Sequence, residues 1–215
     1  MTTVDPQTQV SSPVTTTLSQ AIAAFRAARN PASASPINRP AAQEMVQALL
    51  TAESNAKHQH LTFPFEGLQG NWQLCFTAPR SAHWKKGVAV GKGWYMPGLI
   101  PAQISFWPKP TSEGSAVTGE IGNQLQLGPL LIRLKGPARY SGQKNLLAFD
   151  FTHLHLSLFG RLLYDGAFRS GKRRDQPFDQ QPISQLPFFA FFLIGEDCIA
   201  ARGRGGGLAL WVKEK

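Results

Sequence analysis

The chain has 215 residues, 42% hydrophobic and only 16% charged, a composition that excludes a disordered chain, a coiled coil or a helical repeat and fits one domain. Lys and Arg number 22 against 13 Asp and Glu, so the net charge of +9 favours an anionic partner: a membrane surface, a nucleic acid or an acidic protein. Its two cysteines, Cys75 and Cys198, are too few for a disulfide scaffold or a cysteine-based zinc site.

The N-terminal quarter of the chain predicts a flexible tail followed by two helices. Residues 1–17 are rich in Thr, Ser and Gln, and this composition cannot supply a core. Apolar residues then recur at helical spacing over 19–29 and again over 41–56. We expect no secretory signal and no transit peptide, because residues 1–20 contain Asp5, no basic residue and no apolar run. We also expect no transmembrane helix, because the longest apolar run, 188–194, falls far short of about 20 residues.

From Gly70 onward the apolar period becomes two, which is typical of strands. In 71–78 the alternation predicts that Trp72, Leu74 and Phe76 share one face. Further strand candidates, separated by turn residues, are 102–107, 115–121, 123–127, 130–135, 145–151, 153–159, 187–194, 197–202 and 207–213. Many short antiparallel strands predict a mainly β fold, either a barrel or a sandwich.

Three segments depart from simple alternation. The apolar phase changes between Phe151 and Leu154 and again across Gly128-Pro129, which predicts a bulge or a tight corner at each place. Residues 188–194 are apolar on both faces, so the second face needs a cover from the helices or from lipid. Residues 166–186 are polar, basic and irregular, which predicts a long functional or mobile loop.

No catalytic, cofactor or metal signature stands out. Residues 166–173 fit GxxxxGK, but Arg173 stands where a P-loop needs Ser or Thr. His153 and His155 share a strand face without a third ligand at suitable spacing. Carboxylates are sparse and unpaired, so we expect a protein that is not an enzyme and has no catalytic residue, cofactor or metal.

Basic residues lie next to aromatic ones in one loop region and cluster in a second. Lys85 and Lys86 precede Trp94 and Tyr95, and the second cluster comprises Arg169, Lys172, Arg173 and Arg174. Such surfaces suit an anionic membrane, where Trp and Tyr lie at headgroup level. The same residue types also stack on bases and neutralise phosphates, so a nucleic-acid surface is a second interpretation. A third is a solvated basic surface with no specific partner.

Two blocks carry a family resemblance. The residues FEGLQGNWQLCFT (65–77) resemble the L-x-G-x-W-x-L-x-Y-T block of the plastid lipid-associated protein (fibrillin) family. The residues FLIGEDCIAARGRGGGL (192–208) are similar to its Y-L-D-x-D-L-R-I-x-R-G-x-x-G block. The matched positions are Gly70, Trp72, Thr77, Asp197, Arg202 and Gly203, whereas Phe76 replaces the family Tyr and the acid of Y-L-D is absent.

The resemblance implies a lipocalin-like antiparallel β-barrel with two N-terminal helices, as one domain over 18–215 with helices in 18–57 and the barrel in 65–215. It further implies a lipid-handling protein that aids photoprotection, of cyanobacterial type because no transit peptide precedes it, at the thylakoid membrane periphery or in the cytoplasm. Asp197 and Arg202 are expected to form an ion pair that braces the last hairpin.

The leading hypothesis is therefore a non-enzymatic binder of an apolar isoprenoid or lipid, such as a carotenoid or prenylquinone, held on an anionic membrane surface. Eight residues are expected to line the ligand site: Trp72, Leu74, Phe76, Phe106, Phe149, Phe151, Phe189 and Phe191. The alternative is an assembly or scaffold factor for a quinone- or pigment-metabolism enzyme or a photosynthetic complex. Binding of single-stranded nucleic acid is the third and least favoured interpretation.

Overall fold

Two helices precede the strands. The computed structural model describes residues 13–29, 37–98, 100–109, 117–168 and 177–214. Helix α1 (Pro13–Ala27) begins with a proline, which suits the first turn of a helix, and α2 (Ala42–His58) follows. The tail predicted over 1–17 is therefore wrong for 13–17, where the helix has already begun, and 1–12 lie outside the described residues. Neither described helix has the length and apolar character needed to cross a bilayer.

Thirteen strands follow in the described part of the chain. They are β1 (Gly70–Ala78), β2 (His83–Lys85), β3 (Val88–Val90), β4 (Trp94–Tyr95), β5 (Ala102–Pro108), β6 (Val117–Leu127), β7 (Leu130–Ser141), β8 (Leu146–Phe149), β9 (His153–Leu158), β10 (Arg161–Ala167), β11 (Phe188–Ile194), β12 (Cys198–Gly203) and β13 (Leu208–Lys213). Within the described residues, the two strands predicted over 115–121 and 123–127 form one continuous strand, β6. Strand β10 includes the first two residues of the loop predicted over 166–186, and the described residues from 177 to 186 contain two short 3-10 helices, Phe178–Gln180 and Ile183–Gln185.

Eight of these strands close into an antiparallel barrel. The hydrogen-bonded order is β1-β5-β6-β7-β8-β11-β12-β13, and β13 pairs with β1 to complete the ring. The predicted lipocalin-like barrel with two helices is confirmed. Strand β9 pairs with the first half of β7 and β10 pairs with β9, so these two strands, the β9–β10 hairpin, extend the sheet beyond the barrel.

A bulge between β8 and β9 lets the hairpin leave the barrel. Lys135 pairs with His153 and Ala138 pairs with Phe149, so three residue steps on β7 face four on the opposite side. The extra residue confirms the phase change predicted between 151 and 154. The second phase change, at Gly128-Pro129, is the tight turn between β6 and β7, in which Gly128 has φ +56°.

The described residues form two hydrophobic cores, one inside the barrel and one between its outer face and the helices. Trp72, Phe106 and Phe191 belong to the interior core. The outer core contains Met45, Leu49, Leu210, Phe76 and Phe192, among others. Phe192 faces outward by alternation with Phe191, and the register shift between Phe191 and Leu193 keeps Leu193 on the same outer face, which α2 covers.

A bulge in β1 corrects one predicted interior residue. The register with β13 shifts between Leu74 and Phe76, so Cys75 is the additional residue and the alternation inverts. Trp72 and Leu74 face the barrel interior, whereas Phe76 faces the helices and packs edge-on against Tyr95 at 5.0 Å between ring centroids. The prediction that Phe76 lines the barrel is therefore wrong.

Two ion pairs connect the helices to the barrel, and they replace the pair predicted within the last hairpin. Arg202 donates from Nε and Nη2 to the Glu53 carboxylate on α2, at 2.9 and 2.5 Å. Asp197 instead accepts from Arg26 on α1 at 2.6 Å. The predicted Asp197–Arg202 pair is wrong, because each residue faces a helix rather than the other strand.

Candidate ligand cleft and exposed hairpin

An apolar cleft of about 370 Å³ lies inside the barrel where the β6–β7 hairpin borders it. Its lining is aliphatic and aromatic apart from two amides, and it comprises Leu74, Met96, Ala102, Gln103, Ile104, Asn123, Leu125, Ile132, Leu134, Phe189 and Trp211. The volume lies within the range of small-molecule sites, roughly 300–1,000 Å³. Leu74 and Phe189 are the predicted ligand residues that line this cleft.

Most other predicted ligand residues form solid core beneath it. Trp72, Phe106, Phe149 and Phe191 are buried, and the Trp72 indole N–H donates to the Leu68 carbonyl at 2.7 Å. Phe151 is partly buried against the same core. These side chains support the cleft rather than line it.

Phe189 joins the core to the cleft. Its ring stacks on Phe149 with 5.1 Å between centroids and meets Trp211 edge-on at 5.5 Å. Sequence reasoning missed Trp211 and the aliphatic residues Ile132 and Leu134 as lining. The alternation in 130–135 carries the signal for Ile132 and Leu134, and that in 207–213 carries the signal for Trp211.

Asn123 brings a polar group into the apolar cleft. It pairs across the sheet with Ile104 on one side and Leu134 on the other, and directly opposed residues share a face. Asn123 is itself exposed, so its amide lies at the solvent-facing edge of the cleft beside these aliphatic side chains, where it can bind a carbonyl or hydroxyl of a ligand.

The apolar face of the cleft continues onto the exposed β9–β10 hairpin. Leu125 opposes Ile132, and Ile132 opposes Leu156 on β9, so all three share one face. The tip of the hairpin carries Phe159, which is 78% exposed, and Leu163 on β10 is 56% exposed. Sequence periodicity does not predict this surface. Single exposed apolar residues are normal on a protein surface, but here several lie together on one hairpin.

The turn of this hairpin has an unusual residue at its tip. Phe159 has φ +49° and Gly160 has φ +74°, the left-handed pair of a two-residue turn that favours Asn-Gly. A Phe in this conformation costs about 1–2 kcal/mol. The hairpin thus holds a large apolar side chain in solvent at a local energetic cost.

The residues predicted to face a membrane differ in their position and exposure. Lys85 and Lys86 lie exposed at the turn of the β2–β3 hairpin, which packs on α2. Trp94 is 52% exposed. Arg169, Lys172, Arg173 and Arg174 lie outside the described residues.

Tyr95 is held within the protein instead of being free to insert into a bilayer. Its hydroxyl donates to the Pro40 carbonyl at 2.8 Å, and its ring packs on Phe76. Burial raises the pKa of Tyr95 above its ordinary value. Tyr95 therefore fixes the segment before α2 against the barrel.

His153 and His155 both contact the carboxylate of Asp165. His153 Nε2 hydrogen-bonds one Asp165 oxygen, and His155 Nδ1 lies 3.4 Å from the other, on the outer face of the β9–β10 hairpin. These hydrogen bonds lower the pKa of Asp165 below its ordinary value. Within the described ranges no group of three or more His, Cys, Asp or Glu is arranged to hold a metal ion.

Both cysteines are buried, free thiols. Burial raises the pKa of Cys75 to about 12 and that of Cys198 to about 11. At neutral pH both are therefore thiols rather than nucleophilic thiolates.

The matched positions of the two family blocks lie on β1, on β12 and in the turn before β12. Gly70 opens β1 at φ +113°, and Thr77 donates to the Leu208 carbonyl at 3.1 Å across to β13. On β12, Gly203 receives and donates backbone bonds at the turn into β13. These residues hold β1, β13 and β12 together and do not reach the cleft.

Comparison with known proteins identifies no relative: no family model matches the chain, and neither a curated protein nor a solved structure is similar to it. The resemblance to the fibrillin family stays a prediction.

Proposed function

We propose that the protein binds the apolar chain of a lipid or isoprenoid in the barrel cleft and exchanges it with a membrane at the β9–β10 hairpin, without chemical transformation of the ligand. The observation that carries this proposal is the continuity of one apolar face, from Leu125 and Ile132 in the cleft to Leu156 on β9, in a hairpin whose tip holds Phe159 in solvent. Such continuity gives an apolar chain a path that avoids water.

The size of the cleft sets the part of the ligand that is bound. At roughly 30 Å³ for a group the size of a water or methylene, 370 Å³ accepts about a dozen carbon atoms. Burial of apolar surface at about 25 cal/mol per Å² supplies the affinity. The end of a carotenoid, prenylquinone or acyl chain fits this description, and photoprotection at a thylakoid membrane is the cellular role that we propose for such a binder.

Ligand binding in the cleft is tested by two variants of strand β7. One places a negative charge on the face that lines the cleft, and its control places the same charge on the opposite face. We expect Ile132→Glu to weaken binding of an apolar fluorescent probe, N-phenyl-1-naphthylamine, by about tenfold or more, because a carboxylate must be desolvated in the cleft. Leu131→Glu, whose side chain points to the outer face of β7, is the matched control and should bind within about twofold of the unaltered protein.

Mass spectrometry of an organic extract of the natively purified protein complements the titration. A stoichiometric lipid or pigment supports the proposal. Equal loss of probe binding in both variants, together with an extract free of lipid, would instead favour the scaffold function.

The membrane-facing hairpin is tested by Phe159→Asn. Asn-Gly is the preferred turn sequence, so this variant should raise the free energy of unfolding by about 1 kcal/mol. It should nevertheless reduce flotation with anionic liposomes at high salt, where apolar insertion persists and charge attraction is screened. A variant that gains stability and loses membrane binding separates function from folding.

Lys85→Glu/Lys86→Glu serves as the comparison in the same assay. We expect it to lower flotation at low salt only, because each basic residue near an anionic surface contributes about 1 kcal/mol that salt screens. Unchanged flotation of Phe159→Asn at every salt concentration would contradict the assignment of the hairpin to the membrane.

A further inference from the structure

A second cavity, of about 360 Å³, lies outside the barrel between the end of α1, the residues before α2 and those that follow β4. Ala24, Phe25 and Ile37 give it apolar walls, and Arg29 and Arg39 bring two guanidinium groups to it. None of the described residues that line it is acidic. The cavity therefore combines apolar surface with two positive charges and, among its described lining residues, no negative one.

Arg29 is the unusual residue of this cavity. Its Nε and Nη2 atoms are buried, and within the described segments neither has a hydrogen-bond partner. The carboxylate of Glu214 attracts Arg29 through charge, but it accepts hydrogen bonds from Gln73 and Gln103. Partial burial lowers the pKa of Arg29 below its ordinary value, because desolvation disfavours the charged guanidinium.

Other arginines with a buried Nε differ from Arg29. Arg26 bonds Asp197 through Nη2, and Arg139 donates from both Nη groups to main-chain carbonyls. Their guanidinium groups have acceptors, and their positions follow from the fold. The two unpaired donors of Arg29 have no such explanation, and buried donors of this kind cost about 1–3 kcal/mol each.

Both guanidinium groups of the cavity lie over aromatic rings. Arg29 Cζ lies 4.3 Å from the centroid of Phe25, and Arg39 Cζ lies 4.8 Å from that of Tyr95. A guanidinium stacked through its face keeps its N–H groups in the plane of the group, directed at an acceptor beside the ring. This is the arrangement that recognises carboxylate and phosphate groups.

We propose that this cavity binds the anionic head group, carboxylate or phosphate, of an amphiphile, with Arg29 and Arg39 on the head group and Phe25 and Ile37 against the first part of its chain. The site shares Met96 with the barrel cleft, but none of Phe25, Arg29, Ile37 and Arg39 lines that cleft, so the proposal stands whether or not the cleft binds a chain. It gives the protein selectivity for acidic lipids over neutral ones.

Calorimetric titrations of the full-length protein test the proposal with four probes: dodecanoate, dodecyl phosphate, dodecanol and inorganic phosphate. All are measured in the Ile132→Glu background, in which binding of a chain in the barrel cleft is expected to be weakened by about tenfold or more. We expect dodecanoate and dodecyl phosphate to bind at least tenfold more tightly than dodecanol. Arg29→Gln should weaken both by about tenfold or more.

Arg133→Gln, which removes an exposed guanidinium on the outer barrel face, is the matched control and should leave both affinities within twofold. Circular dichroism checks that Arg29→Gln is folded, and Arg39→Gln gives a second measurement at the same cavity if it is not. The side-chain Nε–H resonance of Arg29 should also shift on addition of dodecanoate.

Three outcomes would overturn the proposal. Dodecanol that binds as tightly as dodecanoate removes the role of the charge. Arginine variants that are folded and bind within twofold of the unaltered protein remove the role of the cavity. Inorganic phosphate that binds as tightly as dodecyl phosphate shows a free-anion site and contradicts the amphiphile.

Discussion

Arg202→Met is expected to lower the free energy of unfolding by about 3 kcal/mol at neutral pH, which corresponds to a fall in Tm of roughly 6–12 °C. Glu53 has a side chain only 9% exposed and accepts two hydrogen bonds from Arg202. Loss of the guanidinium leaves a buried carboxylate with Lys57 as its remaining cationic partner, at 2.8 Å. Chemical denaturation monitored by circular dichroism measures the change.

The effect should depend on pH in a defined direction. Burial opposes ionisation of Glu53, but the hydrogen bonds from Arg202 and Lys57 outweigh it, so the pKa of Glu53 lies below the ordinary 4.5. A carboxyl with a lowered folded-state pKa stabilises the protein above its unfolded pKa, and this stabilisation is lost as the pH falls through the folded pKa. The gap between the unaltered protein and Arg202→Met should therefore be full at pH 7 and close below about pH 4.5.

Two further variants separate the buried pair from ordinary surface charge. Glu53→Leu/Arg202→Met should recover at least half of the lost stability, because no uncompensated charge remains. Asp197→Asn removes the other helix-to-barrel pair, in which Asp197 is 60% exposed, and should cost less than about 1 kcal/mol. Equal losses for Arg202→Met and Asp197→Asn would contradict the role assigned to burial.

The sequence pattern was sufficient for a mainly β fold, because its strands alternate and its turns carry Gly or Pro, whereas the choice of a barrel over a sandwich came from the family resemblance. The bulge before β9 was also predictable, because the apolar residues change from odd to even positions between Phe151 and Leu154. Without an added residue, the leucines of β9 would lie on the opposite face of the sheet. The bulge at Cys75 gave no such signal. The helices cover the outer face of β1, so this strand has apolar residues on both faces. The change of face at Phe76 therefore leaves no trace in the apolar pattern of the sequence.

Strand β10 escaped prediction for the opposite reason. Nearly all of its residues are exposed, so Leu162, Leu163 and Tyr164 follow one another without alternation between a buried and a solvated face. The exposed apolar surface is thus invisible to period-based reasoning at the very place where it extends the cleft. The partner of Arg202 was equally out of reach, because Glu53 lies 149 residues away and no spacing rule connects them.

Gly136→Ala is expected to destabilise the protein by about 3 kcal/mol, because the main chain of the β8–β9 bulge passes directly over this residue. A Cβ at position 136 would lie 1.8 Å from the Asp150 carbonyl oxygen and 2.8 Å from its carbonyl carbon. Both are backbone atoms, so the clash is not relieved by rotation of a side chain. The bulge must open, and the flanking bonds from Asp150 N–H to the Pro137 carbonyl and from Thr152 N–H to the Lys135 carbonyl must lengthen.

The same substitution should also weaken ligand binding, since the bulge sets the direction in which the β9–β10 hairpin leaves the barrel. Gly205→Ala is the matched control, because no atom lies within 4 Å of the Cβ it would add, and it should change stability by less than about 0.5 kcal/mol. Thermal unfolding and titration with N-phenyl-1-naphthylamine of both variants give the comparison. If Gly136→Ala unfolds at the same temperature as Gly205→Ala, the close approach at the bulge does not hold the hairpin, and the continuity between cleft and hairpin loses its structural cause.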